Sequence, residues 1–314
     1  MNFKKKISLV VPFYNEEGGV QQFFQSLEMA LSNLYGRYDF EVLCINDGSK
    51  DETLKHLVLM QQSQKKVKIR IVDFSRNFGK ESAITAGLDF AVGDAVVPID
   101  SDLQHPPALV AEMIALWESG YEVVLARRAN RDTDRAIYKL AARTFYEVSR
   151  HISHTDIPPD VGDFRLMDRK VVDAVNSLRE NCRFMKGIFA WVGFRTAVVD
   201  YQVEVRRQGN SKFNGWKLWN LALDGITSFS TVPLRMWTYV GSLIALAAFF
   251  YAVYLIVKTL VFGAETPGFA SLMSVILFAS GVQLMGIGIL GEYIGRVYAE
   301  VKGRPAYIVR EVIE

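Results

Sequence analysis

Between residues 7 and 128 the apolar positions gather into short runs rich in Val and Ile: "ISLVVPFYN", "FEVLCINDGS", "KIRIVDFS", "DAVVPID" and "YEVVLARR". Runs of this length, bounded by polar residues, predict buried strands. Each of the first four is followed by a helix-like stretch, which argues for a parallel sheet covered on both faces, an α/β layout of the nucleotide-binding kind. Ligands of such sheets lie beyond the carboxyl ends of the strands. Those ends carry Tyr14, Asn15 and Glu16, then Asn46 and Asp47, then Asp100 and Asp102, so one polar crevice is expected.

The pattern changes in the last third of the chain. From Trp237 to Val257 and from Phe269 to Leu290 there is no Asp, Glu, Lys or Arg, and each run reaches the about 20 apolar residues that cross a bilayer. The link "KTLVFGAETPGF" holds one basic residue, Lys258, whereas Arg235 precedes the first run and Arg296, Lys302, Arg304 and Arg310 follow the second. The positive-inside rule then puts both ends in the cytoplasm. Upstream, Phe213, Trp216, Trp219, Leu223 and Ile226 recur at spacings of three and four, opposite Lys217, Asn220 and Asp224. That is an amphipathic helix suited to the headgroup region. Just before it, "VRRQGNSK" clusters Arg206, Arg207 and Lys212 around Gly209, a basic loop for anionic headgroups or for the phosphate of a lipid acceptor. In the second run Gly281, Gly286, Gly288, Gly291 and Gly295 suit close helix packing, and Glu292 is placed to pair with Arg296.

Composition narrows the possible functions. The chain of 314 residues is 50% hydrophobic with a formal net charge of +2, enough for a sizeable core and too neutral for a polyelectrolyte partner, so nucleic acid is not expected. Cys44 and Cys182 stand far apart, form no metal-ligand spacing and read as core residues of a reducing compartment. The opening "MNFKKKISLVV" has basic residues before an apolar stretch shorter than the roughly 7 to 15 residues of a signal-peptide core, and so reads as a first strand. His151 and His154 in "SRHISHTD" have no further ligand nearby and read as loop residues.

The crevice lacks the usual phosphate loops. No Gly-x-Gly-x-x-Gly follows the first strand, and "FSRNFGKES" departs from a Walker loop at Phe74 and Glu81. The acidic pair Asp100 and Asp102 is then the candidate for holding a diphosphate through Mg2+ or Mn2+, which take hard oxygen ligands from one or two carboxylates, waters and substrate phosphates. An extended Asp-Ser-Asp would direct both carboxylates to one side. His105 nearby reads as a solvated loop residue. Arg127 and Arg128 end the fifth strand, where the donor side, the acceptor side and plain solvation are all open.

The segments "VVPFYNEE", "INDGSKD", "SRNFGKE", "IDSDLQHPP", "GDFRLMDR" and "RRQGNSKFNGWKLWNLALDGITSFS", then two apolar spans and "GEYIGRVY", resemble in order the polyisoprenyl-phosphate glycosyltransferases of glycosyltransferase family 2, nearest to the bactoprenol glucosyltransferases. The resemblance covers nearly the whole chain. It implies a GT-A catalytic domain, Rossmann-like with a mostly parallel sheet, that inverts the sugar and transfers it to undecaprenyl phosphate at the inner leaflet. Glucose from UDP-glucose would be the donor, and the product would serve surface glycan modification such as that of O-antigen lipopolysaccharide or the cell wall. Pro12, Tyr14, Glu16, Asp47 and Asp100 would bind the nucleotide. Asp100, Asp102 and Gln104 would surround Mg2+ or Mn2+, and Arg127, Arg206 and Lys212 would face the acceptor phosphate. A homo-oligomer, a tetramer, is implied as well.

"GDFRLMDR" resembles the family's acceptor-side motif, where a catalytic base would be sought at Asp163. The second pKa of a phosphate monoester is about 6, so a lipid phosphate is already ionised at neutral pH and needs compensating cations more than a base. Arg165 is expected to supply that charge, with Asp163 orienting it or a neighbouring basic residue. The boundaries follow: a cytoplasmic catalytic domain over 1–210, an interfacial helix region over 211–232, two membrane helices over 233–296 and a cytoplasmic tail over 297–314. Transfer of another nucleotide sugar, or a non-catalytic membrane-anchored sensor or scaffold, are the alternatives. A processive polysaccharide synthase is disfavoured by the absence of Gln-x-x-Arg-Trp.

Overall fold

The computed structural model describes residues 4–128, 161–178, 180, 185–202, 232–262 and 268–314. Its centre is an eight-stranded sheet. In chain order the strands are β1 (Lys5–Phe13), β2 (Tyr38–Asn46), β3 (Lys68–Phe74), β4 (Ala95–Pro98), β5 (Val123–Arg128), β6 (Val161–Asp168), β7 (Thr196–Tyr201) and β8 (Val309–Ile313). Across the sheet they lie in the order β7-β5-β6-β4-β1-β2-β3-β8. β1 pairs in parallel with β2 and β4, and β2 in parallel with β3. Ile7, Leu9, Val10, Val11 and Phe13 of β1 are all 0% exposed, because a central parallel strand is covered on both faces and therefore reads as a continuous apolar run.

The helices divide between those faces. α1 (Val20–Leu31), α2 (Thr53–Ser63) and α4 (Leu109–Glu118) close one core with Leu9, Val11, Val42 and Cys44; α3 (Lys80–Phe90), α5 (Arg169–Ser177) and α6 (Met185–Trp191) close the other with Val10, Leu43 and Ile45. α1 buries Val20, Phe23, Phe24, Leu27 and Leu31, the spacing of a single helical stripe. On the other face α3 lies so close to the sheet that a Cβ on Gly87 would stand 2.0 Å from Val10 Cγ1.

Two strands run against the rest of the mostly parallel sheet. β6 runs antiparallel between β4 and β5, which are therefore not neighbours. β8, from the C-terminal tail, pairs antiparallel with β3 and completes the far edge.

α7 (Val232–Phe262) and α8 (Phe269–Val301) have 31 and 33 residues, lengths of about 46 and 50 Å at the usual rise. Both are longer than the expected spans, since helix continues through Lys258 and past Glu292 and Arg296. Their most apolar windows are 0% and 6% buried, so they are not core helices of the α/β domain but candidate membrane spans. A Cβ on Gly286 would lie 2.1 Å from the Trp237 indole nitrogen, which fixes where the two helices touch. Gly281, Gly288, Gly291 and Gly295 meet nothing within 4 Å among the described residues, so within this chain the close packing is seen at Gly286. Arg296 donates to Glu292 at 3.1 Å, the pairing anticipated from their spacing. Lys302 caps α8, and Gly303 follows in the left-handed region at φ +59°.

Candidate active site

The crevice is built from loops at the carboxyl ends of β1, β2, β3 and β4. The β1–α1 and β2–α2 loops are knitted together: Asn15 N–H donates to Ser49 Oγ at 3.0 Å, Lys50 N–H to Asn15 Oδ1 at 2.9 Å and Glu16 N–H to Thr53 Oγ1 at 2.8 Å. Asn15 accepts a φ of +52° to make this turn. Tyr14 is left exposed at the rim, with Pro12 and Glu16 partly covered beside it. Asp47, buried, accepts from the backbone N–H groups of Phe78 at 2.7 Å and Gly79 at 3.0 Å. Burial raises its pKa, opposed by those two N–H groups and by Arg76. Gly48 has φ +62°, and a Cβ there would stand 2.3 Å from the Arg76 carbonyl carbon, so only glycine lets the two loops meet.

At the centre lies Lys80, the first residue of α3. Its Nζ is 2.7 Å from Asp100 Oδ1 and 3.0 Å from Asp163 Oδ2. Burial works against the ammonium, but the two carboxylates outweigh it and hold its pKa above the ordinary lysine range. His105 Nδ1 is 3.5 Å from Asp100 Oδ2, and its ring stacks on Phe164 and meets Tyr201 edge-on. Burial lowers the His105 pKa, while Asp100, Asp102 and Asp163 push the other way. Below them Arg165 is 5% exposed, donates to Gly162 O at 2.7 Å and lies over the Phe189 ring. Burial pushes its pKa down to about 10, against the pull of Asp163 and Glu81.

Several sequence expectations change here. The Asp-Ser-Asp segment is not extended: β4 ends at Pro98 and residues 101–102 form a turn. Ser101 is buried, Asp102 is exposed, and Leu103 takes a φ of +59°, unusual for a branched residue. Asp102 Oδ1 accepts from the backbone N–H of Gln104 at 3.1 Å. His105 is no solvated loop residue but a wall of the crevice, because the turn folds it back onto Phe164. Of the two partners expected for Asp163, Arg165 or a neighbouring basic residue, it engages the second, Lys80, while Arg165 is packed in the core beneath. Arg127 Nε and Nη2 donate to the two Asp200 oxygens at 2.7 and 2.9 Å across β5 and β7. Arg206, Arg207, Lys212, the amphipathic stretch Phe213–Ile226, His151, His154 and Cys182 lie outside the described residues. Lys80 is not among the sequence candidates, although it stands past the end of the third strand, in the same row of strand-end positions as Asp47 and Asp100.

Among the described residues no group of three or more Asp, Glu, His or Cys converges as a metal cage. Two carboxylates near one turn fit Mg2+ or Mn2+, which is commonly held by one or two carboxylates together with waters and substrate phosphates. Asp100 is already placed against a cation by its contact with Lys80.

Comparison with known proteins identifies the family. The glycosyl transferase family 2 pattern matches residues 8–175 and the GtrB C-terminal hairpin matches residues 232–297. An uncharacterized glycosyltransferase of Synechocystis is 51% identical over 307 residues, covering 98% of this chain and 95% of the relative. The bactoprenol glucosyl transferase of Shigella phage SfII is 50% identical over 306 residues, 98% of each chain. A prophage bactoprenol glucosyl transferase homolog of Escherichia coli is 48% identical, covering 98% and 99%. Among solved structures, glucosyl-3-phosphoglycerate synthase from Mycobacterium tuberculosis in complex with Mn2+, UDP-glucose and phosphoglyceric acid aligns with a TM-score of 0.48 at 19% identity, over 71% of this chain and 78% of that one. The mixed, mostly parallel α/β sheet is of the GT-A type that the sequence led us to expect. The chain therefore belongs to glycosyltransferase family 2, in the group whose catalytic domain is followed by a GtrB-type C-terminal hairpin.

Proposed function

We propose that the protein transfers glucose from UDP-glucose to undecaprenyl phosphate, with inversion, at the cytoplasmic face of a bacterial inner membrane. The observation that carries this reading is the Asp100–Lys80–Asp163 cluster at the strand ends, in a chain whose two long apolar helices are candidate membrane spans. Relatives named bactoprenol glucosyl transferases, about half identical over almost the full length, support the choice of sugar and lipid.

In this reading Pro12, Tyr14, Glu16 and Asp47 form the nucleoside side of the crevice. Asp47 acts by fixing the Phe78 and Gly79 amides that border it. Asp100 and Asp102, with Gln104 beside them, would hold Mg2+ or Mn2+, which when bound neutralises charge developing on the leaving diphosphate. Lys80 adds a fixed positive charge at the same point, and Asp163 holds it in place. Arg165 contributes a buried positive charge beneath Asp163. An ionised lipid phosphate attacks the anomeric carbon from the face opposite the departing UDP. Electrostatic preorganisation therefore matters more than proton removal. Arg206 and Lys212, and Arg127 at the β5 end, are the basic residues proposed for the acceptor side.

β8 supports the topology. A strand that follows α8 hydrogen-bonds to β3, which is consistent with both flanks of the proposed hairpin lying on one side of the bilayer, and Arg235, Arg296, Lys302 and Arg304 would make that side the cytoplasm.

The test is transfer of radiolabelled sugar by purified protein into the lipid phase, with undecaprenyl phosphate and a panel of UDP- and GDP-sugars. UDP-glucose is expected to label the lipid best. Labelling from a different donor alone would reassign the sugar, and no labelling from any donor would sink the enzymatic reading.

A further inference from the structure

The C-terminal strand does more than close the sheet edge. Register slips between Asp73 and Phe74, where Asp73 faces Glu311 and Phe74 faces Val309, leaving Arg310 as the extra residue of a bulge. Bulges re-aim side chains, and here Arg310 Nη1 reaches Asp73 Oδ2 at 3.1 Å while Nη2 donates to Ser75 O at 3.0 Å. Asp73 is 2% exposed, and its other oxygen accepts from Asn46 Nδ2 at 2.7 Å, next to Asp47. Ser75 N–H in turn donates to Ile308 O at 3.0 Å. Both backbone groups of Ser75 are thus held by the tail.

Aromatic contacts extend the same clasp. The Tyr307 ring stacks on Phe74 at 5.2 Å, and Phe74 meets Phe78 edge-on at 5.8 Å. The Tyr307 hydroxyl donates to Asp89 on α3 at 2.8 Å. The segment 75–79 therefore lies between two clasps: Asp47 takes the amides of Phe78 and Gly79 from the crevice side, and residues 307–310 take Ser75 and Phe74 from the outside. Lys80 follows at once.

We propose that Arg310 and the strand that carries it are positioning elements for the nucleotide-sugar site. They set the β3–α3 loop, and through it the Phe78 and Gly79 amides and Lys80. This rests on the reading of the crevice as the donor site. Its consequence is that the end of the second membrane helix is mechanically joined to donor binding, only a few residues before the clasp.

The test uses full-length protein in detergent with Arg310→Met, which keeps the aliphatic stem, and Arg310→Lys, which restores a charge. Hydrogen exchange of ligand-free protein is read at Phe78 and Gly79. Arg310→Met should speed exchange there by about tenfold or more, with β1 and β2 amides unchanged, since local opening is cheaper than global unfolding. UDP affinity and the donor KM should weaken by about tenfold, with the KM for undecaprenyl phosphate unchanged, and Arg310→Lys should recover part of both. Unchanged exchange at Phe78 and Gly79, or a loosened loop with full UDP affinity, would overturn the proposal. Exchange accelerated equally through β1 and β2 would reduce Arg310 to a structural role and overturn it too. Wild-type protein that binds no UDP would instead defeat the donor-site reading, and exchange at the loop would still decide whether Arg310 positions it.

Discussion

Lys80 lies 2.7 Å from one carboxylate and 3.0 Å from another, so substitutions among these three side chains change the field in the crevice while leaving its walls in place. Asp102, by contrast, is exposed at the mouth. Asp102→Asn removes a formal charge at the proposed metal and diphosphate site with little change of shape. Turnover should fall by at least about a hundredfold, the size expected when several kcal/mol of charge stabilisation are lost, and excess chelator should abolish activity of the unaltered enzyme. Full turnover in chelator would exclude the metal role. For Asp163 the informative quantity is pH. A general base contributes about 10^2 to 10^4, and its removal gives a loss that shrinks steeply as pH rises. Asp163 instead holds an ammonium, so the loss in Asp163→Asn should be nearly constant above about pH 7, where the acceptor phosphate is ionised. A pH–rate profile under saturating substrates distinguishes the two.

At the scale of elements, the helix hairpin and the basic loop make separate predictions. Gly286 is the one glycine of α8 pressed against its partner helix among the described residues. Gly286→Leu should lower hairpin stability by about 1 to 3 kcal/mol through overpacking against Trp237. Gly288→Leu, facing open space, serves as the control, and thermal melts in detergent compare the two. If the basic loop holds the acceptor phosphate, Arg206→Ala and Lys212→Ala should raise the KM for undecaprenyl phosphate and leave UDP affinity within about twofold. Calorimetry showing UDP binding weakened as much as acceptor use would move the loop to the donor side.

For the whole molecule the decisive fact is that β8 returns to the sheet after α8. The proposed orientation, with two crossings and both flanks on the cytoplasmic side, predicts a labelling pattern. In a variant lacking Cys44 and Cys182, Glu265→Cys in the link should react with an impermeant maleimide from outside intact cells, and Glu314→Cys only after permeabilisation. Labelling of both from outside would refute the orientation. The same return makes the fold strongly non-local. β3 must wait for the last residues of the chain before its outer edge is paired, which places the hairpin inside the catalytic domain's own connectivity.

The apolar runs of β1 to β4 were legible because a strand buried on both faces has to be apolar throughout, and the strand-end rule located Tyr14, Asp47 and Asp100 from order alone. The two long spans were equally plain, since a bilayer demands length and absence of charge within one local window. β6 escaped notice because "VGDFRLMD" carries charges whose burial depends on what surrounds them: Arg165 is in the core only because Phe189 and Gly162 receive it. β8 escaped notice because five residues past a membrane helix have no pattern of their own, and become a strand only when an open sheet edge is within reach. The turn at Asp100–Asp102 and the ion pairs of Lys80 were likewise outside local reach. Periodicity along a chain reports which face is buried, whereas the partner of a charge is chosen by which strands become neighbours, and only the tertiary structure decides that.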